Sequence, residues 1–430
     1  MKITTKSWGS HEWKWLVLGI LLVISSVTNF ASEKKTAQKS QANPDNESPQ
    51  QPEWVATAGE AAFSAPELFP AGFLVAVVTP SGLLFGVDSK SGLQRYLPVS
   101  LSAPLTAWSS TGDSIDSSTN KEVIYLADQN GEIHALNVRD GHLIWVAHPS
   151  GESQLNIYGA AVVLQKKLSS ASYTHPTDLL ILGTRNPGTR NQNQVLGMSA
   201  STGVVLWQLK GNVGIVPPLD MTSSTPLIDY SRNSIWLTSR SADSARQPSL
   251  WEIDANAGSV LSTSNLGDVD GSPVLTPRSE VLFVGNNAGT LFAIDPSNGT
   301  TLASLEGSDG AVRGAPAIVN SNPPYQVVFS SSSKVQEVSF DARTNTFTRI
   351  WNTSIASPST PLHLVGLSKI YVGSSDGRVH ELDAVTGSDR KQRSINLSPT
   401  LVGAPVGDAS LSRIYVCATD QHIYAFAVPF

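Results

Sequence analysis

The sequence predicts an all-β fold, and three observations predict it. Charged residues make up 15% of the 430 and hydrophobic ones 40%. With Ser, Thr, Asn, Gln and Gly abundant, that balance suits short strands joined by polar turns better than helices. Apolar residues come in short alternating runs that end in turn residues, as in GTLFAIDPSNG (289–299). That unit then recurs along most of the chain, which is the observation that fixes the architecture.

Taken in order, the chain opens on a segment of another kind. Lys2, Lys6 and Lys14 precede the apolar run WLVLGILLVISSV (15–27). A basic flank before a short apolar stretch reads as an export signal or an uncleaved anchor, so residues 1–31 are expected to be a signal peptide or membrane anchor, with a possible tether through 15–31. No cysteine follows the run, which excludes a lipoprotein-type anchor. Residues 32–52, SEKKTAQKSQANPDNESPQQP, have almost no apolar side chain and are expected to be a disordered linker. The remainder, 53–430, is expected to be one repeat domain.

Its repeats are GLLFGVDSKSG (82–92), GEIHALNVRDG (131–141), QVLGMSASTG (194–203), SLWEIDANAG (249–258), GTLFAIDPSNG (289–299), the degenerate KVQEVSFDARTN (334–345), GRVHELDAVTG (377–387) and HIYAFAVPF (422–430). The closing turns at Gly92, Gly141, Gly203, Gly258, Gly299, Asn345 and Gly387 are 49, 62, 55, 41, 46 and 42 residues apart. A period of that length built from short strands predicts a β-propeller, one four-stranded antiparallel blade per repeat. Proline-bearing strands, SAPL (102–105), STPL (224–227), GSPV (271–274), GAPA (314–317), STPL (359–362) and GAPV (403–406), fit inner strands crowded around a channel. The last hairpin lacks an outer strand. PEWVATAGEAAF (52–63) matches the outer-strand pattern of GVVLWQLKGNVG, so Trp54 is expected to complete the last blade, giving eight blades in a ring closed by the N-terminal strand.

This pattern resembles the PQQ-type, quinoprotein-like propeller repeat, whose core reads G-x-L-x-A-L-D-x-x-T-G-x-x-x-W, over about residues 53–430. The resemblance implies that Trp54, Trp145, Trp207 and Trp351, with Tyr96 in the first blade, pack between neighbouring blades. It also raises the enzyme alternative. Quinone dehydrogenases of this type hold PQQ and calcium over the channel beside a catalytic Asp, and many use a vicinal disulfide. Here Cys417 is the only cysteine, and no nucleophile motif, phosphate-cradling loop or HExxH is present. The expectation is therefore no enzyme, no catalytic residue and no cofactor, with PQQ and calcium only under that alternative.

The repeated Asp88, Asp254, Asp295 and Asp383, with Asn137 and Ser199 as equivalents, read as turn caps rather than metal ligands. His134, His380 and His422 read as sharing one packing slot with Phe85, Trp251, Phe292 and Tyr424. Cys417, within IYVCA, reads as a small buried hydrophobe.

Function is expected where the copies disagree. Turns TRNPGTRNQNQ (184–194) and TSRSADSARQPS (238–249) are expanded in adjacent blades and would bring Arg185, Arg190, Arg240 and Arg246 onto one face. Beside them GDVDGSPV (267–274) carries Asp268 and Asp270. It is similar to the D-V-D element of the outer-membrane β-barrel assembly propeller type, which uses it towards a barrel-bearing partner; the chain is most similar to that type, without its lipobox. The resulting expectation is an exported, non-enzymatic propeller in the periplasm or another extracytoplasmic space, serving as an assembly or scaffold factor that binds a protein partner in the cell envelope. A ligand-sensing ectodomain is a further alternative. The formal charge of −6 gives no case for nucleic acid.

Overall fold

The computed structural model describes residues 51–430 except 61–64, 70–73, 102, 111–121, 150–157, 165, 167–170, 187–192, 211–218, 223, 242–246, 396–399, 409 and 411. The expected leader (1–31) and nearly all of the expected linker (32–52) lie outside these residues. Within them no helix is long and apolar enough to cross a membrane.

The described strands pair into eight four-stranded antiparallel sheets, the blades of a β-propeller. Blade 1 covers 67–100, blade 2 105–147, blade 3 158–210, blade 4 227–264, blade 5 274–305, blade 6 317–354, blade 7 362–394 and blade 8 406–427. Blade 8 takes its outer strand from Trp54–Thr57, which pairs antiparallel with His422–Ala427 and sets Trp54 opposite Ala425. The closure expected at Trp54 is thus the one observed. It covers the edge of the last sheet with main-chain hydrogen bonds.

Ring order follows from burial. Each sheet packs its apolar face on the next, and eight separate clusters mark the eight interfaces. One joins blades 1 and 2 through Phe69, Leu84, Ile124 and Leu126. Another joins blades 8 and 1 through Trp54, Phe85, Val87, Tyr415 and Cys417. Cys417 is fully buried there, and desolvation pushes its thiol pKa up, so it is an inert packing group as expected. The second strands of blades 2 to 5 are buried along their whole length, as in VIYLAD (123–128) and LLILGT (179–184), and the third strands are buried at their centres.

The structure corrects one detail of the proline motifs. Each is a lead-in whose final residue starts the inner strand: Leu105, Leu227, Val274, Ala317, Leu362 and Val406. Proline has no N–H to give a ladder, so it sits one residue before pairing begins.

The closing turns share one construction. All seven predicted positions, Asn345 included, have positive φ, between 53° and 74°. The residue four before the Gly caps the turn. Asp88 Oδ1 accepts the amides of Lys90 and Ser91 at 3.0 and 2.9 Å, and Asp383 Oδ1 those of Val385 and Thr386 at 3.1 Å each. Burial pushes the Asp88 carboxyl up, but the bonds from Ser91, Lys90 and Arg95 outweigh it and hold the pKa below the usual carboxylate range.

Over four of these turns lies the tryptophan of the preceding blade. The indole N–H of Trp54, Trp145, Trp207 and Trp351 donates to the carbonyls of Ser89, Ala200, Ala255 and Ala384 at 3.0, 3.1, 2.9 and 3.2 Å. A Cβ on Gly258 would come within 2.3 Å of the Trp207 ring, so that glycine is required by its neighbour as well as by φ. Tyr96 takes the same place against Gly141 in the first blade, as expected.

Candidate functional site

Blades 3, 4 and 5 present the ends of their second strands to one side of the ring, and here the repeat departs from its regular form. In blade 3 the strand Leu179–Thr184 ends under Arg185, which is exposed. The carbonyl of Thr184 accepts the amide of Thr222 at 3.0 Å, which ties blade 3 to the segment leading into blade 4. Asn193, fully buried, clamps the base of the expanded turn: its Oδ1 accepts the Thr184 hydroxyl at 2.9 Å and the Asn186 amide at 2.7 Å. Arg190 lies outside the described residues.

In blade 4 the strand Ser234–Thr238 leads to Arg240, whose amide donates to the carbonyl of Met221 at 2.8 Å. Its guanidinium then crosses to blade 5 and grips Asp270 bidentately, Nε to Oδ1 and Nη2 to Oδ2, both at 2.8 Å. Asp268, two residues earlier, accepts the Ser241 amide at 3.2 Å through Oδ1 and the Asn287 side-chain amide at 3.1 Å through Oδ2. The same Asn287 nitrogen reaches Asp270 Oδ2 at 3.1 Å, and the Asn287 backbone amide donates to the Asp268 carbonyl at 2.8 Å. The hydrogen bond to Asp270 is the largest cause of a raised Arg240 pKa, against the opposing effect of burial; Asp268 and the fully buried Asp220 add to it. Arg246 lies outside the described residues.

Of the residues expected to form a docking face, the structure therefore joins Arg240, Asp268 and Asp270 into one cross-blade knot and sets Arg185 at the corresponding strand end of the blade beside it. The aspartates are bound within the chain and act first as positioners. Their carboxylates fix a guanidinium of which 30% of the side chain stays exposed. A planar donor held by two hydrogen bonds is preorganised for a partner's carboxylate or carbonyl. Sequence reading missed Asn287, which sits in an ordinary-looking polar turn, and Asn193, which is one of several Asn and Gln residues in the expanded turn 184–194. Asp220 carried no signal at all.

The histidines need a correction. His134 and His380 do share a register position, opposite Leu126 and Val372, but in blade 8 that position belongs to Tyr424, opposite Val416. His422 stands two residues earlier, at the start of its strand. The slot is also more polar than expected. His134 Nε2 lies 3.2 Å from Asp128 Oδ2 and 3.5 Å from Glu132 Oε2, and His380 is bracketed by Asp389 at 2.8 Å and Asp376 at 3.2 Å. Tyr424 likewise donates its hydroxyl to Asp420 at 2.5 Å. Ring and carboxylate thus close the hairpin of their own blade.

With this geometry in hand, comparison with known proteins is informative. The family profile described as outer membrane protein assembly factor BamB matches residues 46–174 and 189–393. The crystal structure of BamB from Moraxella catarrhalis is 18% identical, with TM-score 0.57 over 83% of this chain and 92% of that one. Sqt1 from Chaetomium thermophilum, solved bound to the N-terminus of the ribosomal protein L10, is 12% identical, with TM-score 0.65 over 88% and 100%. The quinohemoprotein alcohol dehydrogenase from Comamonas testosteroni is 11% identical, with TM-score 0.60 over 88% and 76%. At such identities these structures show a shared fold. No match was found among curated proteins.

Proposed function

Since the chain belongs to the outer membrane protein assembly factor family, we propose that it is an exported, non-enzymatic propeller that docks a protein partner in the cell envelope and serves there as an assembly or scaffold factor. The observation that carries this reading is the knot of Arg240, Asp268, Asp270 and Asn287. It holds a partly exposed guanidinium across blades 4 and 5. Interfaces are enriched in arginine, and a side chain fixed before binding loses little entropy on docking. Under this reading Arg185 belongs to the docking set, as do Arg190 and Arg246 of the two expanded turns, and residues 15–31 serve as export signal or membrane tether. Propellers of this shape do dock peptides, as the Sqt1 complex illustrates.

The test is co-purification from native membranes. Charge reversal at Arg185 and Arg190, or Arg240→Glu, should release the partner captured by the wild-type chain while the melting temperature of the Arg185/Arg190 variant stays within about 1 °C. Retention of that partner by both variants would remove the face from consideration. The dehydrogenase neighbour keeps a second reading in view, an oxidoreductase with PQQ and calcium over the channel. Stoichiometric quinone absorption after adding both, with dye-linked alcohol or sugar oxidation, would replace the scaffold reading with that one.

A further inference from the structure

The third strands of blades 4, 6 and 7 each carry a buried glutamate at one register position, directly before the bulge that offsets the outer strand: Glu252, Glu337 and Glu381. Two have their carboxylates hydrogen-bonded from within the chain. Ser234 and Ser262 donate to the two oxygens of Glu252 at 3.0 and 2.9 Å. Glu381 accepts the Tyr371 hydroxyl at 2.8 Å and the Phe430 amide at 2.5 Å. Glu337 differs. Only 2% of the residue is exposed, and its Oε2 is buried with no hydrogen-bond partner. Burial pushes its carboxyl up to about 7, against a smaller opposing pull from Trp351.

The reason lies in the strand partner. Trp54, Trp145 and Trp207 stand opposite Ala425, Ala135 and Gly197, whereas Trp351 stands opposite Glu337. Blade 6 is the one blade that combines the docking tryptophan with the glutamate, in the repeat whose sequence is most degenerate.

Glu337 lines a cavity of about 360 Å³ between blades 6 and 7, together with Val319, Ile350, His363, Val365 and Val385. Ile350, Val365 and Val385 are 40%, 70% and 73% exposed and make an apolar rim. Burial pushes the His363 pKa down, outweighing the bond its Nδ1 makes to the Ile318 carbonyl at 3.0 Å, so the imidazole is neutral near pH 7 and brings no competing cation. Gln326 and Ser368 add neutral polar groups to the lining, so an apolar rim beside one carboxyl with an unanswered oxygen complements a molecule that pairs N–H donors and positive charge with a short hydrocarbon chain.

We propose that the cavity between blades 6 and 7 binds a small aliphatic amine, its ammonium group held by Glu337 and its carbon chain by the valine and isoleucine rim. The site is separate from the docking face of blades 3 to 5 and does not depend on it. Titration calorimetry of the full chain at pH 8 with n-hexylammonium, hexan-1-ol and hexanoate tests it. One equivalent of hexylammonium should bind at least about tenfold more tightly than hexanol, with no heat from hexanoate. Glu337→Gln should weaken hexylammonium at least about tenfold and leave hexanol unchanged. Should that variant fail to fold, Val365→Ser with Val385→Ser, both at exposed positions, should weaken both ligands. Equal affinity for hexanol and hexylammonium, unchanged affinity in either variant, or no saturable binding would overturn the proposal.

Discussion

Two kinds of blade interface coexist in this ring, and their difference shows what the repeat does. Between blades 8 and 1, 2 and 3, 3 and 4, and 6 and 7, an indole lies over the next closing turn and donates to its carbonyl. Between blades 4 and 5 no indole among the described residues caps the closing turn; Trp236 is buried in the apolar cluster of that joint, and the Ser264 hydroxyl bonds the Gly299 carbonyl. Between blades 5 and 6 four aromatic rings, Phe283, Tyr325, Phe340 and Phe347, interlock with centroids 5.0 to 6.5 Å apart. Between blades 7 and 8 the Arg393 guanidinium lies 4.5 Å from the Phe430 ring centroid, which itself packs at 5.2 Å on Tyr371. The repeat therefore keeps each of these joints filled and leaves open which residues fill it. Where a tryptophan does so it supplies the largest apolar area, so those joints should be the most sensitive to truncation.

Four experiments test whether the two kinds of joint differ in energy. Trp207→Ala should cost the most, about 3–5 kcal/mol by urea unfolding, whereas Ser264→Ala in the neighbouring joint should cost about 1 kcal/mol. Equal losses would mean that the two kinds of joint are not distinct. Next comes Glu337, the glutamate opposite the Trp351 joint. Its folded pKa is raised from 4.5 to about 7, so its contribution is fully present below pH 4.5 and is lost as pH rises through 7. Stability should fall by on the order of 3 kcal/mol across that window, and Glu337→Gln should flatten the profile. Thermal unfolding of both proteins at a series of pH values measures this directly.

A smaller effect tests the joint from its glycine side. Gly258→Ala meets both a positive φ of 65° and the Trp207 ring. It should cost about 1–3 kcal/mol in the wild type and about 1 kcal/mol in the Trp207→Ala background, where only the backbone term remains. Strict additivity in that double-mutant cycle would show that the ring and the glycine do not constrain each other. Smallest of all, Arg240→Ala should change stability by about 1 kcal/mol or less, since its pair with Asp270 is partly exposed and screened. A larger loss by urea unfolding would assign the knot a role in holding blades 4 and 5 together.

Much of this was legible in the residues. Gly92, Gly258 and their equivalents marked the turns, Asp88 and Asp383 marked the caps, and Trp54 marked the closure, because each depends on a contact repeated at a fixed spacing. The assignment of His422 to the slot of His134 failed for the converse reason: in the shortened last hairpin, spacing no longer gave the register. On the docking face, arginines and aspartates were visible as types. That Asp270, braced by Asn287, holds Arg240 rather than facing outward beside it was not, since the three come from two blades and are brought together only by the ring.

The sequence by itself thus determined what is local and periodic: strand, turn, blade and the closing strand. Tertiary structure decided which buried polar groups meet an answer from a neighbouring strand or blade. Glu252, Glu337 and Glu381 look alike in the chain, in WEID, QEVS and HELD. Only packing sets hydroxyls against the first, a tyrosine and a main-chain amide against the last, and a tryptophan and an apolar cavity against Glu337. The physical reason is that hydrogen-bond satisfaction of a buried group depends on atoms within about 3 Å, and here those atoms come from other strands, 10 to 49 positions away.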